Sequence, residues 1–110
     1  MGRSRSHKEL KKIVWAKTGG ICAHCGKPAH GKTATIEHFV PKTIGGSIDQ
    51  RNLVPLCKDC NKRRMSRDID PLEYYRFAPQ KVIDDCLTYE KEFMSNRVNI
   101  AGEIIGIVRE

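Results

Sequence analysis

The sequence predicts a small α+β domain, and three observations carry that prediction. Apolar residues recur with helical spacing near the start of the chain and through its last third, while two short runs between them fit β-strands. Two Cys-x-x-Cys pairs flank these runs, and a metal ion bound between them would stabilise a modest core. A length of 110 residues fits a single domain.

Each element follows from a local pattern. The first helix carries an apolar stripe that includes Leu10 and Val14, and Thr18 with two glycines ends it. Asp70 starts a later helix as an N-cap before Pro71. The expected elements are, in chain order, a helix over 7–17, a strand over 33–37, a loop over 39–51, a strand or turn over 53–56, and helices over 57–66, 70–77 and 79–96.

The last third of the chain is expected to be a helical extension. Its long amphipathic helix carries one apolar stripe, formed by Val82, Ile83, Cys86, Leu87, Phe93 and Met94. Residues 98–110 fit either a continuation of this helix or an edge strand. We therefore divide the chain into a basic arm over 1–9, a core over 10–68 and an extension over 69–110, which would brace the core, dimerise or bind a partner.

Positive charge is concentrated in the part of the chain that holds the cysteine pairs. Residues 1–68 carry 15 Lys and Arg against 5 Asp and Glu, whereas residues 69–110 carry 5 against 8. A positive field attracts polyanions, of which nucleic acid is the commonest. The alternative is a basic surface that only faces solvent.

The sequence also indicates a compartment. No apolar run approaches the roughly 20 residues that a membrane-spanning helix needs, so we expect no membrane partner. The opening residues are basic and polar and lack the apolar segment of a signal peptide. The paired cysteine spacing favours metal over disulfides, and we expect a reducing, cytoplasmic location.

The cysteine pairs predict one structural zinc site. Four thiolates are the number that a closed Zn²⁺ site uses, and two residues between partners let both sulfurs reach one ion. The expected ligands are Cys22, Cys25, Cys57 and Cys60. Two separate reduced thiol pairs, or a redox pair, are the alternatives. His24 could replace a cysteine but fits a surface turn better, and Cys86 fits a core thiol.

The loop between the two pairs carries a second set of polar residues. Glu37 and Asn61 offer oxygen ligands that suit Mg²⁺ or Mn²⁺, and His38 can be a neutral base near pH 7. Asn52 is suited to pinning the loop backbone. Adjacent strand residues point to opposite faces. The strand must therefore end or twist beside Glu37 if the side chains of Glu37 and His38 are to serve one site. Taken singly, each residue also fits a core, cap or turn role.

Three motifs carry a resemblance to a known family: C-A-H-C-G at 22–26, E-H-F-V-P-K-T-I-G-G at 37–46 and N-L-V-P-L-C-K-D-C-N at 52–61. Through them the chain resembles the HNH endonucleases that carry a four-cysteine zinc site, over about residues 10–66. The resemblance implies a ββα-metal core and metal-dependent hydrolysis of DNA phosphodiester bonds.

The resemblance also implies a role for each motif residue. Glu37 and Asn61 would hold the catalytic cation, His38 would be the general base and Asn52 would position the loop. Glu37 stands where Asp is commoner in the family, which would place the cation one methylene further out. Asn61 stands in place of His, a substitution that many members share.

Basic residues after the second cysteine pair are the expected DNA contacts. They are Lys62, Arg63, Arg64 and Arg67. Such residues bind phosphate and carry little sequence information, so we expect weak sequence specificity and strong salt dependence. Cleavage at one specific site would need a partner or an attached domain, and a homodimer or a targeting partner is left open. The competing interpretations are a non-catalytic, zinc-stabilised nucleic-acid-binding module and a zinc-built protein-interaction adaptor.

Overall fold

The computed structural model describes the backbone of residues 6–101 and the side chains of residues 6–96. The helices and strands are, in chain order, α1 His7–Ala16, β1 Ala34–His38, β2 Leu53–Cys57, α2 Lys58–Arg64, α3 Pro71–Tyr74 and α4 Gln80–Ala101. The small α+β fold expected from the sequence, with a two-stranded antiparallel sheet and flanking helices, is confirmed. Residues 1–5 and 102–110, which include most of the expected basic arm and of the ambiguous tail, lie outside the described residues.

The sheet is the centre of the fold. β1 and β2 pair from Ala34 opposite Cys57 to His38 opposite Leu53. Pro55 lies in the middle of β2, where it has no N–H to donate, but its carbonyl accepts a bond from Ala23 N at 2.9 Å. The sheet thereby connects directly to the loop that holds the first cysteine pair.

Helix α1 begins with a capping box and packs on the sheet. The Ser6 side chain accepts from Glu9 N, and the Glu9 carboxylate accepts from Ser6 N. Trp15 is buried and its Nε1 donates to the carbonyl of Thr35 at 2.9 Å. Just past the helix, Lys17 Nζ donates to the carbonyl of Leu53 at 2.7 Å, so both strands are tied to α1.

The described part of the C-terminal extension braces the core. Tyr75, Val82, Ile83, Cys86 and Tyr89 are buried in the same cluster as the strand residues. Helix α3 is shorter than the expected helix over 70–77. After it, the backbone N–H of residue 77 bonds to the loop of the first cysteine pair instead of continuing the helical ladder.

The expected apolar stripe of α4 is partly wrong. Leu87 is 44% exposed and Met94 is 53% exposed, whereas Tyr89 is buried. At 100° per residue, Leu87 and Met94 lie roughly 100° around the helix from the centre of the buried face. Among the described residues, no helix is long and apolar enough to cross a membrane.

Candidate active site and metal centre

The four paired cysteines come together as the spacing predicted. The sulfurs of Cys22, Cys25, Cys57 and Cys60 all lie within 4.8 Å of one another. Cys22 Sγ accepts the backbone N–H groups of His24 at 3.4 Å and Cys57 at 3.3 Å, as suits a sulfur that carries negative charge. Four thiolates in this arrangement are compatible with one tetrahedral Zn²⁺ ion.

The loop around the first pair is tight because of one glycine. Gly26 has φ +78° and its N–H donates to the carbonyl of Cys22 at 2.9 Å. The ring of Phe77 packs so closely on Gly26 that a Cβ there would lie 2.9 Å from it. A side chain at residue 26 would therefore be strained and would displace the aromatic ring.

Tyr74 links the two halves of the cysteine cluster. Its ring stacks on His24 with 4.0 Å between centroids, and His24 Nδ1 lies 2.7 Å from the Tyr74 carbonyl. Its hydroxyl donates to the carbonyl of Cys60 at 2.8 Å. His24 is half-buried with its ring engaged by α3, and it is not part of the four-sulfur cluster.

Asn52 holds the loop between the strands. It is fully buried; Oδ1 accepts from Val40 N at 2.7 Å, and Nδ2 donates to the carbonyls of Val40 at 3.1 Å and Ser47 at 3.0 Å. Gly46 packs so closely on this loop that a Cβ would lie 1.7 Å from the Val40 carbonyl oxygen. One amide thus fixes the path that the backbone takes after His38.

Glu37 is buried and forms an ion pair with Arg64, at the end of α2. The Arg64 guanidinium also donates to the carbonyls of His38 at 3.2 Å and Phe39 at 2.9 Å. Tyr75 Oη donates to the same carboxylate oxygen, Glu37 Oε2, at 3.3 Å. Burial raises the pKa of Glu37, and the Arg64 guanidinium opposes that rise.

The prediction that Arg64 contacts DNA is therefore wrong. Its exposed fraction is 1%, and its charge is neutralised inside the protein. A signal for this was present in the sequence, because Arg64 follows Cys60 of the second cysteine pair by four residues and so shares its buried face. The role of Tyr75 could not be found from the sequence, because it comes from a segment outside the motifs.

The two carboxylate oxygens of Glu37, Oε1 and Oε2, differ in their hydrogen bonds. The hydrogen bonds from Arg64 and Tyr75 both go to Oε2. Among the described residues, Oε1 has no hydrogen-bond donor and is not fully buried. One side of the carboxylate is thus anchored, and the other is available as a ligand.

Hydrogen bonds set the orientation of the Asn61 amide. Asn61 Nδ2 lies 2.8 Å from Thr35 Oγ1 and 3.4 Å from the Ile36 carbonyl. The Thr35 hydroxyl donates its own proton to the Leu56 carbonyl at 2.7 Å, so Oγ1 must accept from Asn61. Asn61 Oδ1 receives no hydrogen bond from the described residues and points its lone pairs away from β1.

His38 closes β1 and carries a buried, unpaired ring nitrogen. Its Nε2 is buried and has no hydrogen-bond partner among the described residues. Burial, assisted by the positive charge of Lys42, lowers the pKa of His38. The ring is therefore neutral at pH 7, the state in which it can accept a proton.

One open cavity of about 270 Å³, hereafter the His38 cavity, brings these groups together. Glu37, His38 and Asn61 all line it, and Lys42, Thr43 and Ser66 complete its rim. Because β1 ends at His38, two neighbouring strand residues reach one cavity although they start on opposite faces. Asn52 does not line the cavity, and it acts through the loop backbone.

The model of the HNH endonuclease family matches residues 22–72. These 51 of the 110 residues are similar to the HNH endonuclease family. The matched segment includes both cysteine pairs, the His38 cavity and the start of α3, and it leaves out α1 and α4. The resemblance noted in the sequence is thereby confirmed, and it indicates a nuclease-type function with a nucleic-acid substrate. A comparison with curated proteins found no match to this chain.

The other basic residues of α2 lie on the surface of the matched segment. Lys62 and Arg63 are exposed. Arg67 is exposed too, but its guanidinium also caps α2, donating to the carbonyls of Arg63 at 2.7 Å and Arg64 at 3.0 Å. Of the four basic residues expected to contact DNA, three are therefore accessible to a ligand.

Proposed function

We propose that this protein is a metal-dependent endonuclease that hydrolyses DNA phosphodiester bonds in the His38 cavity. The observation that carries the proposal is the meeting of Glu37, His38 and Asn61 in one cavity, where each has a polar side-chain atom with no hydrogen-bond partner among the described residues. An unpaired polar atom is costly where it is buried, as His38 Nε2 is, and such an atom beside two oxygen donors points to a ligand.

His38 is the proposed general base. Its lowered pKa keeps the ring neutral near pH 7, so an unprotonated ring nitrogen can take the proton from an attacking water in the cavity that His38 lines. Arg64 donates a hydrogen bond to the carbonyl of His38, and Asn52 accepts one from Val40 N, so the backbone that carries the His38 ring is held on both sides. General-base catalysis of this kind contributes roughly 10²–10⁴-fold to the rate.

Glu37 and Asn61 are the proposed ligands of a catalytic Mg²⁺ or Mn²⁺ ion. Carboxylate and amide oxygens are hard donors of the type that these cations prefer, and few protein ligands are usual for Mg²⁺. Such a cation, when bound, stabilises negative charge on the reacting phosphate and on its leaving oxygen. Arg64 and Tyr75 hold Glu37 through Oε2, and Thr35 holds Asn61 through Nδ2, so both free oxygens are oriented in advance.

A structural Zn²⁺ at the four cysteines is the second proposed metal. It would hold the end of β2 through Cys57 and the first turn of α2 through Cys60, the residue directly before Asn61. The zinc would therefore determine where α2 presents the cation ligand. Lys62, Arg63 and Arg67 are proposed to contact DNA phosphates without reading sequence, so a specific cleavage site would require a homodimer or a targeting partner.

The test is plasmid cleavage with Mg²⁺, with Mn²⁺ and without a divalent cation, comparing the wild type with His38→Ala. We expect cation-dependent cleavage by the wild type and a rate at least about 100-fold lower in the variant. Thr43→Ala is the matched control, because Thr43 lines the same cavity and cannot act as a base. It should cleave at the wild-type rate.

Zinc content and DNA affinity must be measured on each sample. A chelator that removes zinc would unfold the core and imitate the loss of the catalytic cation. His38→Ala should retain both zinc and DNA binding. Cleavage by His38→Ala at the wild-type rate would contradict the proposed mechanism. A zinc-loaded wild type that binds DNA and does not cut it would support the non-catalytic binding module.

A further inference from the structure

The His38 cavity is the inner end of a longer surface groove. A second hollow of about 330 Å³ shares Ile36, His38 and Lys42 with it and extends to His7. A third hollow of about 630 Å³ shares His7 with the second and runs along α1. The groove therefore leads continuously from α1 to the candidate general base.

The outer part of the groove is uniformly basic. Lys8, Lys11 and Lys12 of α1 line the third hollow, and Lys42 lines the second. Among the described residues, no Asp or Glu lines either hollow. A separate hollow near α3 has mixed charge, since three carboxylates and the guanidinium groups of Arg67 and Arg76 line it. The charged side chains that line the groove along α1 are all cationic, so a polyanion that approaches the His38 cavity would be attracted along α1.

The floor of the groove is apolar. The ring of Trp15 and the side chain of Ala34 lie beneath the lysines of the third hollow, and Leu10 and Ile36 lie in the second. Lys11 is tied down by a bond from its Nζ to the Gly31 carbonyl at 3.0 Å. Lys8 and Lys12 are exposed and lie one helical turn apart on the same face. A cationic rim above an apolar floor suits a sugar–phosphate chain.

We infer that α1 is part of the substrate-binding surface, and that Lys8 and Lys12 contact backbone phosphates of the nucleic acid whose cleavage site occupies the His38 cavity. This inference rests on the proposed function. It adds a contact surface outside the segment that matches the HNH family. The substrate would lie across both α1 and α2 and would reach well beyond the phosphate that is cleaved.

The test compares two double variants with the same loss of charge. Lys8→Gln/Lys12→Gln changes the groove, and Lys27→Gln/Lys91→Gln changes two exposed lysines that line none of the three hollows. Glutamine has a helix propensity close to that of lysine, so α1 should remain folded. Binding to a labelled 20-base-pair duplex is measured by fluorescence anisotropy without Mg²⁺ or Mn²⁺, on zinc-loaded protein.

We expect the groove variant to bind about tenfold or more weakly at roughly 0.1 M salt, and its slope of log K against log[salt] to fall by about 2. The control should change neither quantity. Lys8→Arg/Lys12→Arg should bind as the wild type does, because it retains both charges. Equal weakening in the groove and control variants would overturn the inference, since it would indicate a diffuse charge effect.

The assay separates the inference from the proposed function. Because no catalytic cation is present, binding is measured whether or not the protein cuts DNA. A wild type that binds DNA while both double variants bind equally well overturns the inference and leaves the nuclease proposal intact. A folded wild type that does not bind DNA overturns both. Unchanged DNA binding with reduced binding to anionic vesicles in the groove variant would assign α1 to a membrane surface instead.

Discussion

Replacing Arg64 with Met tests the buried ion pair most directly. The variant leaves the Glu37 carboxylate buried without its cation, which costs about 3–5 kcal/mol in comparable sites. It also leaves the Phe39 carbonyl without its donor, at about 1–3 kcal/mol for a buried group. Both losses come from one side chain and overlap, so we expect a decrease of about 4 kcal/mol in the free energy of unfolding.

That decrease is a large share of the roughly 5–15 kcal/mol by which domains are stable. At about 4–8 °C per kcal/mol for a domain near this size, Tm should fall by about 15–30 °C. Thermal unfolding of zinc-loaded protein, followed by circular dichroism, measures the change. The control is Arg63→Met, which removes the same charge from an exposed neighbour and should change stability by about 0.5 kcal/mol or less.

A double variant isolates the pair itself. Glu37→Gln/Arg64→Met leaves no unpaired buried charge, so it should be more stable than the sum of the two single losses predicts. Two results would refute the reasoning. One is an Arg64→Met protein that melts within a few degrees of Arg63→Met. The other is a double variant whose loss equals that sum, because the two side chains would then not interact.

Three further predictions concern other parts of the fold. Cys57→Ser should lose the metal and the folded core, whereas Cys86→Ser should keep its metal; zinc content and circular dichroism check both. Gly46→Ala should cost at least about 2 kcal/mol in urea unfolding, because its Cβ would collide with a backbone carbonyl across the loop. The Arg51 guanidinium lowers the pKa of Asp49, so the stability that Asp49 provides is present above its ordinary pKa and is lost as pH falls through the lowered value. Asp49→Asn should therefore be roughly 0.5–1 kcal/mol less stable at pH 7, and urea unfolding should show its stability converging with that of the wild type as pH falls below the lowered pKa of Asp49.

Much of the fold could be predicted from local signals. Cys-x-x-Cys spacing is a short-range constraint with few geometric solutions, and all four paired cysteines met as expected. Asp70 before a proline marks a helix start that the structure contains. The strand boundaries differ from the expected ones by one residue at each affected end, because hydrogen bonding to the partner strand decides where pairing stops.

The remainder depends on tertiary contacts that no local pattern records. The four-residue spacing from Cys60 places Arg64 on the buried face of α2, but nothing local to that helix records that its partner is Glu37. Likewise, Tyr89 is buried because α4 packs against the loop between β1 and β2. There the Tyr89 hydroxyl accepts a hydrogen bond from Ser47 N at 2.9 Å. The sequence indicated an amphipathic helix, and only the packing decided which 100° of its surface would be covered.

The shortness of α2 has a consequence for how the site is assembled. Seven residues are too few for an isolated helix to persist in water, where about 12–15 are needed. This helix is held at its first turn by Cys60 and at its last by Arg64, with Asn61 between them. Losing either attachment should unfold the whole of α2. In each molecule the helix would therefore be either formed or unfolded, with no partly formed states between. Partial zinc loading would then lower the number of competent molecules in a sample and leave the turnover of each competent molecule unchanged.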